Sequence, residues 1–372
     1  MKVIFCHPYP ASKNEGLDRA VLGLARGLSL KGVSVEFVIL QSTRETLLEY
    51  QQVGKVWCSE VCSSRPTSKD VGRRMVEDMV VGNTSRKVYK KLERLKDREA
   101  ILIAAQEFSF GALLRARRED LFKSVGWWCS GTPHLYASVR PIRAALDKTS
   151  LIGLDLLALL SPFLNRKFWQ LEELDFIITV SQWLSNLLTY FGGIHPTGVL
   201  YPPTDTDFYS PLRKEVSENR NGRYVFSLGD TKDVRLDVLN GLSKLVPVVR
   251  AGLPEISKAF NLHDVNDKDL TALYASALVT AYPTHVEQYG LPIAESLACG
   301  TPVLTFPWQG PGELIKDRVT GWKANTVEDF YEIAQEIVKE GYDVSLREKC
   351  REFAVSNLSL DASTDKFLQL MG

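Results

Sequence analysis

Residues 283–302 read PTHVEQYGLPIAESLACGTP, and this stretch decides the fold. Glu287 and Glu295 stand eight positions apart around the turn Gln288-Tyr289-Gly290-Leu291-Pro292, which predicts a helix over 292–299. Pro292 suits the first helical turn, where its missing N–H has no partner to lose. Gly290 lets the backbone come close to a ligand. The amides of residues 290–293 are then expected to face an anion, with the helix dipole behind them. Glu295 falls about one turn into the helix, still near that anion site. A carboxylate there needs a partner other than the phosphate, and ribose hydroxyls supply one. Glu287, on the loop before the helix, is placed to reach a second polar group. Together these features point to a pocket for a nucleotide-diphosphate sugar. Taken alone, Glu295 has a plainer reading as an acidic residue favoured near a helix N-terminus.

An ordered series surrounds the pair. Pro283-Thr284 precedes it, Ala298-Cys299-Gly300-Thr301-Pro302-Val303 follows, and then come Gly310-Pro311-Gly312-Glu313 and Gly321. The series resembles the signature of family 4 glycosyltransferases, which are retaining enzymes of the GT-B fold. The resemblance is specific over 225–325 and looser over 1–210. It implies an α/β architecture of two Rossmann-like domains facing across a deep cleft. Residues 1–210 are expected to form the acceptor-side domain and 211–345 the nucleotide-sugar domain. A helix in 346–372 is expected to cross back to the first domain.

Bulk properties agree with a two-domain chain. Its 372 residues exceed what one core usually serves. Lys plus Arg and Asp plus Glu both count 45, so no global field favours nucleic acid. The six cysteines (Cys6, Cys58, Cys62, Cys129, Cys299, Cys350) form neither a CxxC pair nor a zinc spacing. They read as reduced thiols in a cytoplasmic protein. The opening Met1-Lys2-Val3-Ile4-Phe5 is too short for a signal peptide, and no run of ~20 apolar residues occurs.

Residues 3–6 read as a buried strand, 16–30 as a helix with Leu17, Ala20, Val21, Leu24 and Leu28 on one face, and 33–40 as a second strand. This βαβ opening predicts a Rossmann-like start without a GxGxxG dinucleotide turn. Asn14-Glu15-Gly16-Leu17 resembles the family's first glycine loop, near donor and acceptor. Residues 41–100 show no clear strand before the one expected at 100–105. Further strands are expected at 125–129 and 176–180, and a helix from Ser181 over 182–191. The run from Val199 to Phe208 resembles the family's interdomain link, and 213–223 reads as linker. Beyond it, strands are expected at 224–228, 247–250, 278–282 and 303–306. Helices are expected at 237–245, 269–277, 326–340 and near 345–357.

Residues 65–98 hold eleven basic and five acidic side chains, an excess of six. This run has two readings: a solvated helix face, or a patch that meets an anionic membrane or lipid-phosphate acceptor. The apolar segment 151–169 likewise reads as core or as a membrane-interface element.

The resemblance also assigns roles. A glycine and a lysine after the first strand of the second domain hold the donor diphosphate in the family, and Gly229 and Lys232 match them. Asp230 falls where an arginine is expected, which leaves three readings: Arg235 or Arg250 substitutes, the loop is shorter and differently aimed, or donor binding is weak. In the first domain Ser130 stands where relatives carry histidine, and His134 follows four residues on. His134 reads either as the replacement imidazole or as a plain loop histidine. Tyr289 takes the family's aromatic position beside the sugar. Residues 308–313 are expected to close the nucleotide side, with Glu313 starting a helix. The sequence is read as lacking an Asp-x-Asp element, which fits metal independence, and neither a metal nor a cofactor is expected. The expected partners are a UDP- or GDP-sugar donor and a glycan, lipid-linked or small-molecule acceptor. Glu287 is expected to position the donor sugar, and Gly229, Lys232, Tyr289, Gly290, Leu291, Pro292 and Glu295 to bind the donor. With Glu287, Ser130 and His134 are expected to be catalytic, and the acceptor is expected near them and the Gly16 loop. Two other readings stay open: a degenerate, non-catalytic nucleotide-sugar binder, and a GT-B epimerase.

Overall fold

A computed structural model describes residues 1–10, 16–64, 83–106, 109–131, 169–211, 223–229, 234–284 and 287–372. The chain divides into two compact units at Pro202–Pro203. The first takes in the described residues before Pro203 together with Ser363–Gly372, and the second is Pro203–Ala362.

The first unit opens with β1 (Lys2–Cys6), α1 (Gly16–Leu30), β2 (Ser34–Thr43), α2 (Arg44–Gln51) and β3 (Lys55–Cys62). It continues with α3 (Asn83–Leu95), β4 (Asp97–Ala104), α4 (Phe110–Arg118) and β5 (Phe122–Cys129). Then come β6 (Phe176–Thr179), α5 (Gln182–Leu187) and β7 (Gly198–Val199). The strands form one parallel sheet in the order β3-β2-β1-β4-β5-β6-β7. The central strands β1 and β4 are apolar because helices cover both faces of such a sheet. The expectation that 41–100 holds no strand before residue 100 is corrected by β3. It lies at the sheet edge with mixed exposure, so it lacks the continuous apolar run of a central strand. Ser181 caps α5 by accepting the Leu184 N–H at 3.1 Å. The helix then passes into a π-turn over Leu188–Gly192, and Gly193 ends it in the left-handed region.

Just past β1, a buried polar cluster fixes the start of α1. His7 Nε2 and Asp18 Oδ1 are 2.9 Å apart, and the Tyr50 hydroxyl donates to the same Asp18 oxygen at 2.5 Å. All three side chains are buried.

The second unit runs β8 (Val225–Leu228), α6 (Leu236–Leu242), β9 (Val248–Ala251), β10 (Phe260–Leu262) and α7 (Asp267–Ser276). Next come β11 (Val279–Ala281), α8 (Leu291–Ala298), β12 (Val303–Thr305), α9 (Gln309–Leu314) and β13 (Gly321–Lys323). The chain closes with α10 (Val327–Glu340), α11 (Ser345–Leu358) and α12 (Leu360–Met371). This sheet is also all parallel, in the order β10-β9-β8-β11-β12-β13. Residues 203–211 belong here for a physical reason. Arg351 on α11 donates to the carbonyls of Thr206 (2.7 Å), Tyr209 (2.9 Å) and Ala298 (2.9 Å). The domain boundary therefore falls before that segment, not after residue 210. Ser363–Gly372 returns to the first unit, where Asp365 pairs with Lys31 at 2.5 Å.

No helix among the described residues is long and apolar enough to cross a membrane. The apolar segment 151–168 and most of the basic run, 65–82, lie outside the described residues. Most of what remains of that run is α3. It buries Val88, Tyr89 and Leu92 and exposes Arg86, Lys87, Lys90 and Arg94.

Candidate functional site

The site forms where β8, β11 and β12 end side by side. The carboxyl edge of an open parallel sheet is where ligands of such folds bind. Arg235 N–H donates to the Pro283 carbonyl at 2.7 Å, and Val234 pairs with Thr284. The segments that follow β8 and β11 are thus joined.

From β11 the chain passes Tyr282 and Pro283 to Glu287, which is half-buried. Its carboxylate accepts the Tyr289 N–H at 3.2 Å and faces the Tyr282 hydroxyl at 3.4 Å. Backbone N–H groups of Gln288 and Gly290 also favour its ionised form. Burial nonetheless wins and pushes the Glu287 carboxyl above the usual range. Gly290 holds φ +98 and ψ 69, a left-handed conformation that glycine adopts at little cost, and it caps α8. Pro292 lies in the first turn of α8, as its chemistry predicts.

The expected anion cradle at 290–293 needs correction. Pro292 carries no N–H, and the Ile293 N–H is taken by the Gly290 carbonyl at 3.0 Å. The amides of 288–290 turn toward the Glu287 carboxylate instead. In that stretch Leu291 is the amide left to face a ligand.

Glu295 projects from α8 into the interior and is 1 % exposed. The buried Tyr274 hydroxyl donates to its Oε2 at 3.1 Å. Burial and the Glu295 charge hold the Tyr274 hydroxyl well above its ordinary titration range. Around this pair, Ser296 bonds Thr280 (2.7 Å) and the Thr301 carbonyl (2.9 Å), so α8 is pinned in register. Tyr289 is buried at 4 % exposure.

Gly229 follows β8, and its carbonyl accepts from the buried Arg250 guanidinium at 2.6 Å. Arg250 also donates to the Pro254 carbonyl at 3.3 Å. Arg235 pairs with Asp237 at 2.6 Å. Asp230, Lys232 and His134 lie outside the described residues. Ser130 follows β5 half-buried, and Gly16 is the exposed first residue of α1. Glu313 does not start a helix. It is the fifth residue of α9, whose Gly- and Pro-rich sequence hides the helix. Two Asp-x-Asp spacings do occur, at Asp205-Thr206-Asp207 and Asp267-Lys268-Asp269. Both make local bonds: Asp205 accepts the Phe208 N–H at 3.0 Å, and Asp269 accepts the Asn266 side chain at 2.6 Å.

Sequence reasoning missed Tyr282, Tyr274 and Gln309 as neighbours of the two glutamates. Nothing in the sequence says that the tyrosines meet the glutamates or that Gln309 reaches back to Glu287.

Two parallel sheets flanked by helices, the second carrying this site at its carboxyl edge, define an α/β protein with the fold of the GT-B glycosyltransferases. Residues 256–356, which include both glutamates, match the family model described as Glycosyl transferases group 1. A probable sucrose-phosphate synthase of Thermosipho melanesiensis is 30 % identical over 110 residues, 28 % of this chain. The match spans 26 % of that protein's length and no more than that of the other curated relatives. Among solved structures, the sucrose-phosphate synthase of Thermosynechococcus elongatus superposes with a TM-score of 0.75 at 13 % identity, covering 100 % of this chain and 98 % of that one. Anabaena HepE, solved with UDP and glucose, gives 0.70 at 13 % identity over 100 % and 99 %. At these identities the structural likeness is one of fold.

Proposed function

We propose that the chain is a retaining, metal-independent glycosyltransferase of family 4. It moves a hexose from a nucleotide-diphosphate sugar to a hydroxyl of a glycan, lipid-linked or small-molecule acceptor. The observation that carries this reading is Glu287, an acidic side chain held by backbone amides directly before the α8 N-terminus, within the segment that matches the glycosyl transferase model. The HepE complex with UDP-glucose supports a UDP-sugar as donor, and a GDP-sugar remains the alternative.

In the reaction, the bond from the anomeric carbon to the diphosphate breaks and its electron pair leaves with the nucleotide. The acceptor oxygen bonds to the same face of that carbon, and its proton passes to the departing phosphate. Lys232, the Leu291 amide and the α8 dipole stabilise the charge on the leaving group. Glu287 orients the donor sugar through its hydroxyls. Glu295 takes the ribose once the Tyr274 contact is shared or exchanged. Gly16, Ser130 and His134 belong to the acceptor side.

The four exposed cations of α3 have no acidic partner among the described residues, which supports contact with an anionic membrane surface. In that case the protein works in the cytoplasm at the inner membrane face.

A non-catalytic nucleotide-sugar binder is the second reading, favoured by Asp230 where a cation is expected and by Ser130 in place of histidine. An epimerase would need further acids and bases at the site.

The test is a thermal-shift panel of UDP, GDP, ADP, dTDP and CDP, with Glu295→Ala as control. A nucleotide at one hundred times its Kd stabilises by about 2.7 kcal/mol. One base shifting the wild type and not the variant supports the pocket, and no shift with any nucleotide sinks it. Turnover lost in Glu287→Ala while the shift persists separates the enzyme from the binder.

A further inference from the structure

Gln309 opens α9 with φ +63, a left-handed backbone that a side chain occupies at a cost. Its side-chain carbonyl accepts the Glu287 backbone N–H at 2.8 Å. One residue on, the Gly310 N–H donates to the Glu287 carbonyl at 3.3 Å. The peptide groups on both sides of the Glu287 Cα are thereby held from one loop. The approach is close: a Cβ on Gly310 would meet the Gln288 carbonyl oxygen at 2.2 Å. The loop's other end is fixed as well, because Trp308 stacks on the buried Phe306 at 4.8 Å between ring centroids and 7° between planes.

Strained backbone persists where the surroundings over-determine it, and such residues gather at functional sites. Glycine would hold φ +63 without strain. Glutamine accepts the strain and adds the bond to Glu287.

We propose that Gln309 is a positioning residue for glycosyl transfer: its left-handed backbone aims the side-chain carbonyl at the Glu287 N–H and fixes the direction in which the Glu287 carboxylate leaves the backbone. The proposal rests on the transfer reading above. It gives the strain at residue 309 a purpose, because a carboxylate that swings by a fraction of an ångström no longer orients the donor sugar.

The test compares full-length Gln309→Gly and Gln309→Ala with the wild type. The readout is nucleotide release from UDP-glucose, or from GDP-mannose if the thermal-shift panel selects GDP, with water as acceptor. Tm is measured alongside. Both variants lose the side-chain bond, but only the glycine relieves the strain. We expect kcat to fall on the order of tenfold to a hundredfold in both, with donor KM within about twofold of wild type. Tm should be at or above wild type for Gln309→Gly and below it for Gln309→Ala. A Gln309→Gly variant with wild-type kcat overturns the proposal, and so does a kcat that follows Tm across the pair. A wild type that binds nucleotide but releases none overturns the transfer reading itself, before the variants are compared.

Discussion

Tyr274→Phe removes one oxygen from the second unit and tests whether Glu295 is held ready or merely enclosed. The Tyr274 hydroxyl and the Glu295 carboxylate are both buried, 3.1 Å apart. A hydrogen bond to a charged group contributes about 1.5–3 kcal/mol. The ring stays in place, so its T-shaped contact with Phe226 at 5.1 Å survives, and packing loss adds little. The expected cost is therefore about 1.5–3 kcal/mol, placed on α8 and its neighbours. A global unfolding curve of a two-unit chain does not isolate that cost. Hydrogen exchange of the α8 amides does, because local opening reports regional stability. At 1.4 kcal/mol per decade, the amides of Leu291–Ala298 should exchange roughly tenfold to a hundredfold faster. Glu295→Gln alone and the double variant complete a cycle. Exchange unchanged in Tyr274→Phe, or effects that simply add in the double variant, would refute the claim that the two side chains act as a unit.

Three further outcomes are expected. Gly290→Ala forces a side chain into φ +98 and should cost about 1–3 kcal/mol in Tm-derived stability, with weaker binding of the nucleotide found by the thermal-shift panel. Glu287 must be ionised to orient a sugar hydroxyl, and burial raises its pKa above 4.5, so kcat should fall as pH drops through a value above 4.5 and Glu287→Gln should flatten that limb. Replacing Arg86, Lys87, Lys90 and Arg94 together with Gln should weaken binding to anionic phosphatidylglycerol vesicles in a flotation assay by about 4 kcal/mol, at about 1 kcal/mol per charge, whereas equal binding by variant and wild type would remove the membrane reading.

Much of the fold is legible because apolar runs and caps state it directly. The run from Val3 to Cys6, the helix from Gly16 and the Gly290-Leu291-Pro292 turn all lie where their residue types predict. Four of the elements not anticipated share a reason. β3 is a half-exposed edge strand, β10 and β13 are three residues each, and α9 is written in glycine and proline. None of them carries a periodic apolar signal. The site divides in the same way. Spacing brings Glu287 and Glu295 to either end of one turn, but it does not say which anion the amides of 288–290 reach first. The nearest one is the Glu287 carboxylate, two residues from Tyr289, and proximity along the chain decides the contact. The left-handed backbone of Gln309 is set by its packing against residues 287–289, which no local residue preference encodes.

The charge balance around Gly229 bears on how far Asp230 weakens the diphosphate site. Asp230 follows Gly229 directly in the chain, and Gly229 gives its carbonyl to Arg250, a fully buried guanidinium. Arg250 also donates to the backbone carbonyl of Pro254. Both contacts are made to carbonyl oxygens, which hold the guanidinium in place. A cation fixed behind the end of β8, in a medium of lower dielectric than water, acts over a longer range than a solvated lysine. Its charge is opposite in sign to the one that Asp230 adds next to Gly229 in the chain. Arg250 has not moved into the place of the expected arginine, which would need an exposed side chain. Any effect on a bound diphosphate would run through the Gly229 carbonyl and through the field of the guanidinium. Arg250→Lys would lose the forked bonding to two carbonyls while keeping the charge, and so separates the two contributions. Nucleotide affinity close to wild type in that variant, despite a lower Tm, assigns the compensation to charge. Affinity lost together with Tm assigns it to the shape of the loop.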